Sequence, residues 1–316
     1  MHQLALKNWI PYKLENKAAQ LQCYWLNTFA EPFTEPFFDD TLIKCKRLNN
    51  ELPLFKSVSD LSMLKEWATG LDNIEPAAFI FHISRCGSTL VSQLLATSNA
   101  HIVLSEVPFF DDLLRLPYQG SDFNQDTVSD LLVAAIKFYA QKRTGQEKRL
   151  FIKTDSWHIF FYKQLRTIYP KVPFILIYRS PDQVLASHMK MPGMQAVPGL
   201  IEPAILGFKP EEIMYNRPDI YLSDVLEKYL DQYHEIIATD RKCLLLNYND
   251  GPVALIKKIA AFTNTPVSKE ALLSMDERSR YHSKRPNEPF SEISPLQNPQ
   301  FLHKAMELYQ ALNANL

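Results

Sequence analysis

The chain has 316 residues, 34 Lys and Arg against 35 Asp and Glu, and a formal net charge of −1. That near-neutral balance gives no global pull toward nucleic acid or an anionic membrane, so any anion site has to come from local arrangement. A 46% hydrophobic and 22% charged composition is that of a globular protein able to bury a sizeable core.

Residues 1–75 are rich in aromatics: Trp9, Tyr12, Tyr24, Trp25, Phe29, Phe33, Phe37 and Phe38. Pro32, Pro36 and Pro53 interrupt them, and the Glu31–Phe38 stretch cannot form a long helix. We expect this segment to pack its aromatics on the core, with the walling of a pocket as the sharper alternative. Leu61–Leu71 is a short helix candidate. Residues 1–20 lack a charged stretch followed by an apolar one, and no apolar run reaches the ~20 residues a membrane span needs, so a cytoplasmic protein is expected. Cys23, Cys45, Cys86 and Cys243 are scattered without a CxxC spacing and read as reduced thiols.

From residue 76 to the end the pattern changes to short apolar runs alternating with amphipathic stretches. Strands are expected at 78–83, 102–105, 149–153, 173–178 and 243–247. Helices are expected at 88–98, 127–143, 157–169, 181–190, 223–239 and 252–263. This order predicts an α/β domain with a central parallel sheet flanked by helices. Ligands of such sheets bind beyond the carboxyl ends of the strands, so the residues just after each strand carry the interest.

The first strand runs into Ser84-Arg85-Cys86-Gly87-Ser88-Thr89, and Leu90, Val91, Leu94 and Leu95 follow at helical spacing. Strand, tight turn and helix aim backbone N–H groups at an anion. Gly87 allows close approach of the backbone, Arg85 adds a fixed charge, and Ser88 and Thr89 add hydroxyls. The common phosphate loop, with Gly-Lys-Ser/Thr, is not present. An ordinary turn with a solvated arginine is the bland alternative.

Glu106 stands just past the second strand, with Pro108 expected to stop extension. Near a hydroxyl substrate it is a candidate general base, provided burial raises its pKa; a solvated or capping glutamate is the alternative. Lys153 closes the third strand, where it could neutralise a transferring group or simply pair with Asp155. The fourth strand leads into Arg179, then Ser180 as a helix cap and Pro181 in the first turn. Ser187 lies eight residues after Arg179, and a phosphate beside this helix could be held by both.

Residues 191–218 hold five prolines, three glycines and several apolar side chains, and read as an insertion or lid. Asp276–Arg285 reads as part of a basic loop, and a last helix fits about 299–312. His82, His188 and His282 lack ligand spacing and read as structural or surface histidines; no metal site is expected.

The Arg85–Thr89 turn resembles the 5′-phosphosulfate loop of the sulfotransferases, and the Arg179–Ser187 offset resembles that family's 3′-phosphate motif. The match extends to Glu106 and Lys153, and resembles the branch that holds the tyrosylprotein and many bacterial sulfotransferases. It covers about 78–265. The resemblance implies a phosphate-loop-like sulfotransferase fold. It also implies 3′-phosphoadenosine 5′-phosphosulfate (PAPS) as co-substrate, with the bisphosphate PAP as product, and transfer to an acceptor hydroxyl on a small molecule, carbohydrate or lipid. Glu106 would then be the base, with Lys153 and Arg85 assisting. Residues 85–89, Arg179 and Ser187 would bind the nucleotide, with Tyr248 near it and Arg280–Lys284 as a late phosphate-contacting loop. Cys86 stands where the family usually has Ser and raises the question of sensitivity to oxidation. A catalytically idle nucleotide-binding relative and a phosphate-loop kinase or NTPase are the other readings.

Overall fold

The computed structural model describes residues 6–17, 20–49, 56–281, 283, 287–289 and 299–314. Five short strands form its centre: β4 (Pro76–His82), β5 (His101–Ser105), β6 (Arg149–Lys153), β7 (Phe174–Tyr178) and β8 (Cys243–Asn247). They run in the order β5-β6-β4-β7-β8, and every pairing is parallel. Their runs of Phe, Ile, Leu and Val are buried on both faces, as in Phe79–Phe81 and Phe174–Tyr178, which is why each reads as a continuous apolar run.

Helices flank this sheet. After β4 comes α3 (Ser88–Leu95), burying Leu90, Val91, Leu94 and Leu95. α5 (Gln125–Tyr139) is capped by the Asn124 side chain, which accepts from the Thr127 N–H at 2.9 Å. Its face of Val128, Leu131, Leu132, Ala135, Ile136 and Tyr139 is buried. Between β6 and β7 a 3₁₀ stretch, Ser156–Phe161, continues as α6 (Tyr162–Ile168). α7 (Pro181–Lys190) follows β7 and starts on Pro181. α8 (Pro218–Thr239) is the long helix, buried at Tyr221, Leu222, Val225, Leu226, Tyr229 and Tyr233. α9 (Pro252–Phe262) follows β8, and α11 (His303–Asn313) packs against α8.

Extension stops before Pro108, as expected, since β5 ends at Ser105. Pro108 then opens α4 (Pro108–Arg115), because a missing N–H costs nothing in a first helical turn. Other elements depart from the sequence expectations. Part of the expected basic loop is helical, since α10 spans Lys269–Ser279. Ser180 occupies the cap position of α7, but its hydroxyl goes to the Asp182 carboxylate and makes no cap bond.

The first 75 residues hold an antiparallel sheet of β1 (Trp9–Lys17), β2 (Gln20–Asn27) and β3 (Ser57–Asp60), with α1 (Phe38–Asn49) and α2 (Met63–Trp67). Its aromatics lie on the central unit: Trp25 meets Phe138 at 4.8 Å between centroids and Phe38 meets Tyr139 at 5.2 Å. Tyr139 also donates to the Pro11 carbonyl. Residues 191–218 contain two 3₁₀ turns and bury Ala196, Ile201, Ile205, Leu206, Phe208 and Ile213. Arg115 fastens them to α4, donating to both Glu202 carboxylate oxygens at 2.7 and 3.0 Å and to the Leu200 carbonyl at 3.1 Å. Among the described residues, no helix is long and apolar enough to cross a membrane.

Candidate active site

All five parallel strands deliver their carboxyl ends to one rim, and a cavity of about 900 Å³ opens there. That volume is near the top of the ~300–1,000 Å³ typical of small-molecule sites. β4 and β7 are neighbours, and their outgoing connections lead to opposite sides of the sheet, so the gap between them is a topological switch point. The 84–89 turn leaves β4 and Arg179 leaves β7, so these two groups straddle that gap.

The turn is locally unusual. Ser84 and Arg85 have φ of 65° and 48°, and Gly87 has φ of 77°. Backbone of this kind forms concavities that face N–H groups at anions. Ser84, Arg85, Gly87, Ser88 and Thr89 all line the cavity. Arg85 spans it, donating to the Met191 carbonyl at 2.6 Å. Burial pulls the Arg85 guanidinium pKa down and Glu106 opposes that shift.

Gly87 keeps its backbone at the cavity wall, and the Tyr248 ring fills the space that a side chain there would take. A Cβ at Gly87 would meet that ring at 1.9 Å, so glycine is required by the tyrosine as well as by its left-handed φ. Cys86 faces away from the cavity. It is fully buried, with its Sγ 3.5 Å from the Ile177 carbonyl, and burial raises its pKa. A buried neutral thiol is a poor target for oxidants, and Cys86 offers the cavity no side chain.

At the far side stands Glu106, in a left-handed conformation with φ of 54°. Its N–H donates to the Lys153 carbonyl at 2.8 Å, and its Oε1 accepts from the Lys153 ammonium. Lys153 is wholly buried, so its charge is matched by Glu106 and not by Asp155, as the simpler expectation had it. Burial alone would raise the Glu106 pKa. Lys153 and a hydrogen bond from His82 outweigh it and hold the carboxyl well below the usual carboxylate range. The shift is therefore opposite to the one a neutral-pH base was expected to show.

His82, read from the sequence as a structural or surface histidine, lies at this rim and lines the cavity. It is buried, its Nδ1 lies 3.1 Å from the Ser84 nitrogen, and its Nε2 lies 2.9 Å from the Thr154 carbonyl and 3.3 Å from Glu106 Oε1. Phe37 lies with its ring 5.6 Å from the Lys153 ammonium, and Phe37 and Asp39 bring the first 75 residues to the cavity wall.

On the other side of the switch point Arg179 is 8% exposed. It donates from Nε to Gln183 at 2.9 Å, with its guanidinium 5.4 Å from the Tyr248 ring centre. Gln183, Ser187 and Lys190 fall at spacings of four and three on α7, so one face of that helix lines the cavity. Of the late loop, Ser283 reaches the cavity, whereas Arg280 turns to Asp276 at 2.8 Å; Lys284 and His282 lie outside the described residues.

Asp111, Asp155 and His158 bring ligand-type atoms within 4.8 Å of one another. Asp111 is occupied by three donors, Trp157 Nε1 at 2.6 Å, His158 Nε2 at 3.0 Å and Arg115 at 3.0 Å, as expected of a hydrogen-bonded structural cluster. Asp155 lies beside it, its pKa raised by burial and by Glu106 and Asp111.

No family model matches the sequence, and no curated protein matches it. Several solved structures do resemble the fold. Sulfotransferase STF9 from Mycobacterium avium is 10% identical with a TM-score of 0.48, over 79% of this chain and 78% of that one. The sulfotransferase domain of the Synechococcus PCC 7002 olefin synthase is 16% identical with a TM-score of 0.47, over 79% and 98%. Mouse sulfotransferase SULT7A1, in complex with PAP, is 12% identical with a TM-score of 0.37, over 84% and 73%.

Proposed function

We propose that the chain is a sulfotransferase that moves a sulfonate from PAPS to a hydroxyl of a small-molecule, carbohydrate or lipid acceptor. One observation carries the reading: Arg85 and Arg179 follow neighbouring strands on the rim that also holds Glu106 and Lys153. β5 and β7 are three strand spacings apart, ~14 Å, so Glu106 and Arg179 stand at opposite ends of an extended cavity. A nucleotide anionic at both its 3′ and 5′ ends suits two separated cations better than one with a single phosphate chain does.

In this reading the 84–89 turn, with Arg85, Ser88 and Thr89, holds the 5′-phosphosulfate. Arg179 and Ser187 hold the 3′-phosphate, and Tyr248 lies between the two. Glu106 takes the proton of the acceptor hydroxyl as its oxygen bonds to sulfur and the bond from sulfur to the phosphate oxygen breaks. Lys153 and Arg85 meet the charge released on that phosphate. The tight Glu106–Lys153 pair makes Glu106 a weak base, and a phosphosulfate oxygen that draws the ammonium to itself restores basicity. The reading assigns the electrostatic work to these side chains and calls for no metal.

The deciding experiment is calorimetric binding of PAP compared with ADP, on the wild type and on Arg179→Ala. PAP is expected to bind at least tenfold more tightly than ADP, and the variant to lose that preference. Equal affinities would remove the 3′-phosphate assignment. Radiolabelled PAPS offered with phenols, sugars and hydroxylated lipids then identifies the acceptor.

A further inference from the structure

We propose that His82 is a positioning residue of this site, whose neutral ring holds the anion turn through Nδ1 and the Glu106 carboxylate through Nε2. The proposal rests on the sulfotransferase reading and adds to it a residue outside the expected machinery.

The argument starts from the donor at Ser84. A backbone N–H can only donate, so Nδ1, 3.1 Å from the Ser84 nitrogen, must be the acceptor. The ring proton then resides on Nε2, where it faces the Thr154 carbonyl at 2.9 Å and Glu106 Oε1 at 3.3 Å. One ring therefore ties together the carboxyl ends of β4, β6 and β5. A second proton on Nδ1 would set N–H against N–H at Ser84. Burial and the Lys153 ammonium oppose that protonation, and the Glu106 carboxylate favours it less strongly.

The two bonds have separate consequences. The bond at Nδ1 fixes the residue that begins the left-handed Ser84–Arg85 pair, and so the shape of the turn assigned to the phosphosulfate. The bond at Nε2 adds a second donor to the Glu106 oxygen that already accepts from Lys153. This fixes the carboxylate rotamer and assigns its other oxygen to the acceptor proton. Neither contact touches a reacting atom, so the role is one of placement.

Two near-isosteric variants separate these contacts in the whole 316-residue chain. His82→Asn keeps an acceptor where Nδ1 lies and loses the donor; His82→Gln keeps a donor where Nε2 lies and loses the acceptor. Two readouts are used: PAP affinity by calorimetry, and PAP release from PAPS as sulfonate passes to water. His82→Gln is expected to weaken PAP binding about tenfold, the scale of one lost hydrogen bond at the turn, and more than His82→Asn does. His82→Asn is expected to slow release more than His82→Gln does. Parallel losses in both readouts for both variants, in step with their melting temperatures, would mean a merely structural histidine and would overturn the proposal. ¹⁵N NMR of the wild-type histidine rings covers the case in which a variant does not fold. A His82 ring protonated on Nε2 and bare on Nδ1 is expected, and one protonated on Nδ1 overturns it. A wild type that binds PAP no better than ADP overturns the functional reading itself, and the positioning role falls with it.

Discussion

Tyr248 lies against Gly87 so closely that its Cε2 would sit 1.9 Å from a Cβ at that position. The contact joins the two strands that flank β7 in the sheet, because the turn follows β4 and the tyrosine follows β8. Gly87→Ala therefore faces a steric clash of the overpacking kind, ~1–3 kcal/mol. It also incurs the cost of a left-handed alanine, ~1 kcal/mol. We expect a loss of at least about 2 kcal/mol in denaturant unfolding. Adding Tyr248→Ala should recover the steric part and leave the backbone part. A Gly87→Ala protein as stable as the wild type would show that the ring moves freely.

The Glu106–Lys153 pair sets a second expectation. Lys153 has no exposed side-chain surface, so Glu106→Ala strands a buried ammonium, at a cost of ~3–5 kcal/mol for a broken buried pair. Glu106→Ala combined with Lys153→Met should be less destabilised than the sum of the single changes. The Glu106 pKa is lowered on folding, so the pair's stabilisation is present above the unfolded value near 4.5 and is lost as pH falls below it. Unfolding measured from pH 3 to pH 7 should show a steeper rise for the wild type than for Glu106→Gln.

Asp112 has the opposite sign. Burial raises its pKa from 3.8 to about 6, with the Leu14 N–H at 3.5 Å as a weak partner. A raised carboxyl contributes stability below its unfolded pKa and loses it as pH rises through the folded value. Asp112→Asn should therefore gain on the wild type as pH rises from about 4 to about 6, with little further change above 7. Unfolding curves of the two proteins across that range test this; a constant difference would mean that Asp112 is ionised throughout.

Arg115 holds the 191–218 insertion by a forked contact to Glu202. A lysine cannot reproduce that geometry. Arg115→Lys should raise hydrogen exchange in residues 197–207 by about thirtyfold while exchange in β4 and β7 stays slow, the loss of one to two charge-assisted bonds being ~2 kcal/mol. Equal exchange in both proteins would show that apolar burial of Ile201 and Leu206 suffices.

The central sheet was legible because buried parallel strands are continuous apolar runs between turn residues, and the five expected segments coincide with the observed strands to within two residues at each end. The first 75 residues were less legible. No strand was expected in them, yet β1 forms there, with Pro11 inside it beside its register shift. α10 escaped because its apolar face is thin, with Met275 its one buried side chain. In the candidate site, Arg85, Glu106 and Arg179 could be named because each immediately follows an apolar run. His82 was read only as a structural or surface histidine, because its partners lie at 84, 106 and 154 and nothing in one-dimensional spacing joins them. The Glu106–Lys153 pairing was hidden for the same reason, since adjacency of β5 and β6 is a property of strand order.

That strand order also fixes when the cavity comes into being. Glu106 follows one outermost strand, β5, and Tyr248 follows the other, β8, while the 84–89 turn hangs from the middle. A chain that has assembled β4, β6 and β7 alone lacks both Glu106 and Tyr248 from the rim. A complete cavity is thereby a property of the finished five-stranded sheet, and a folding intermediate lacking either edge has only part of its wall.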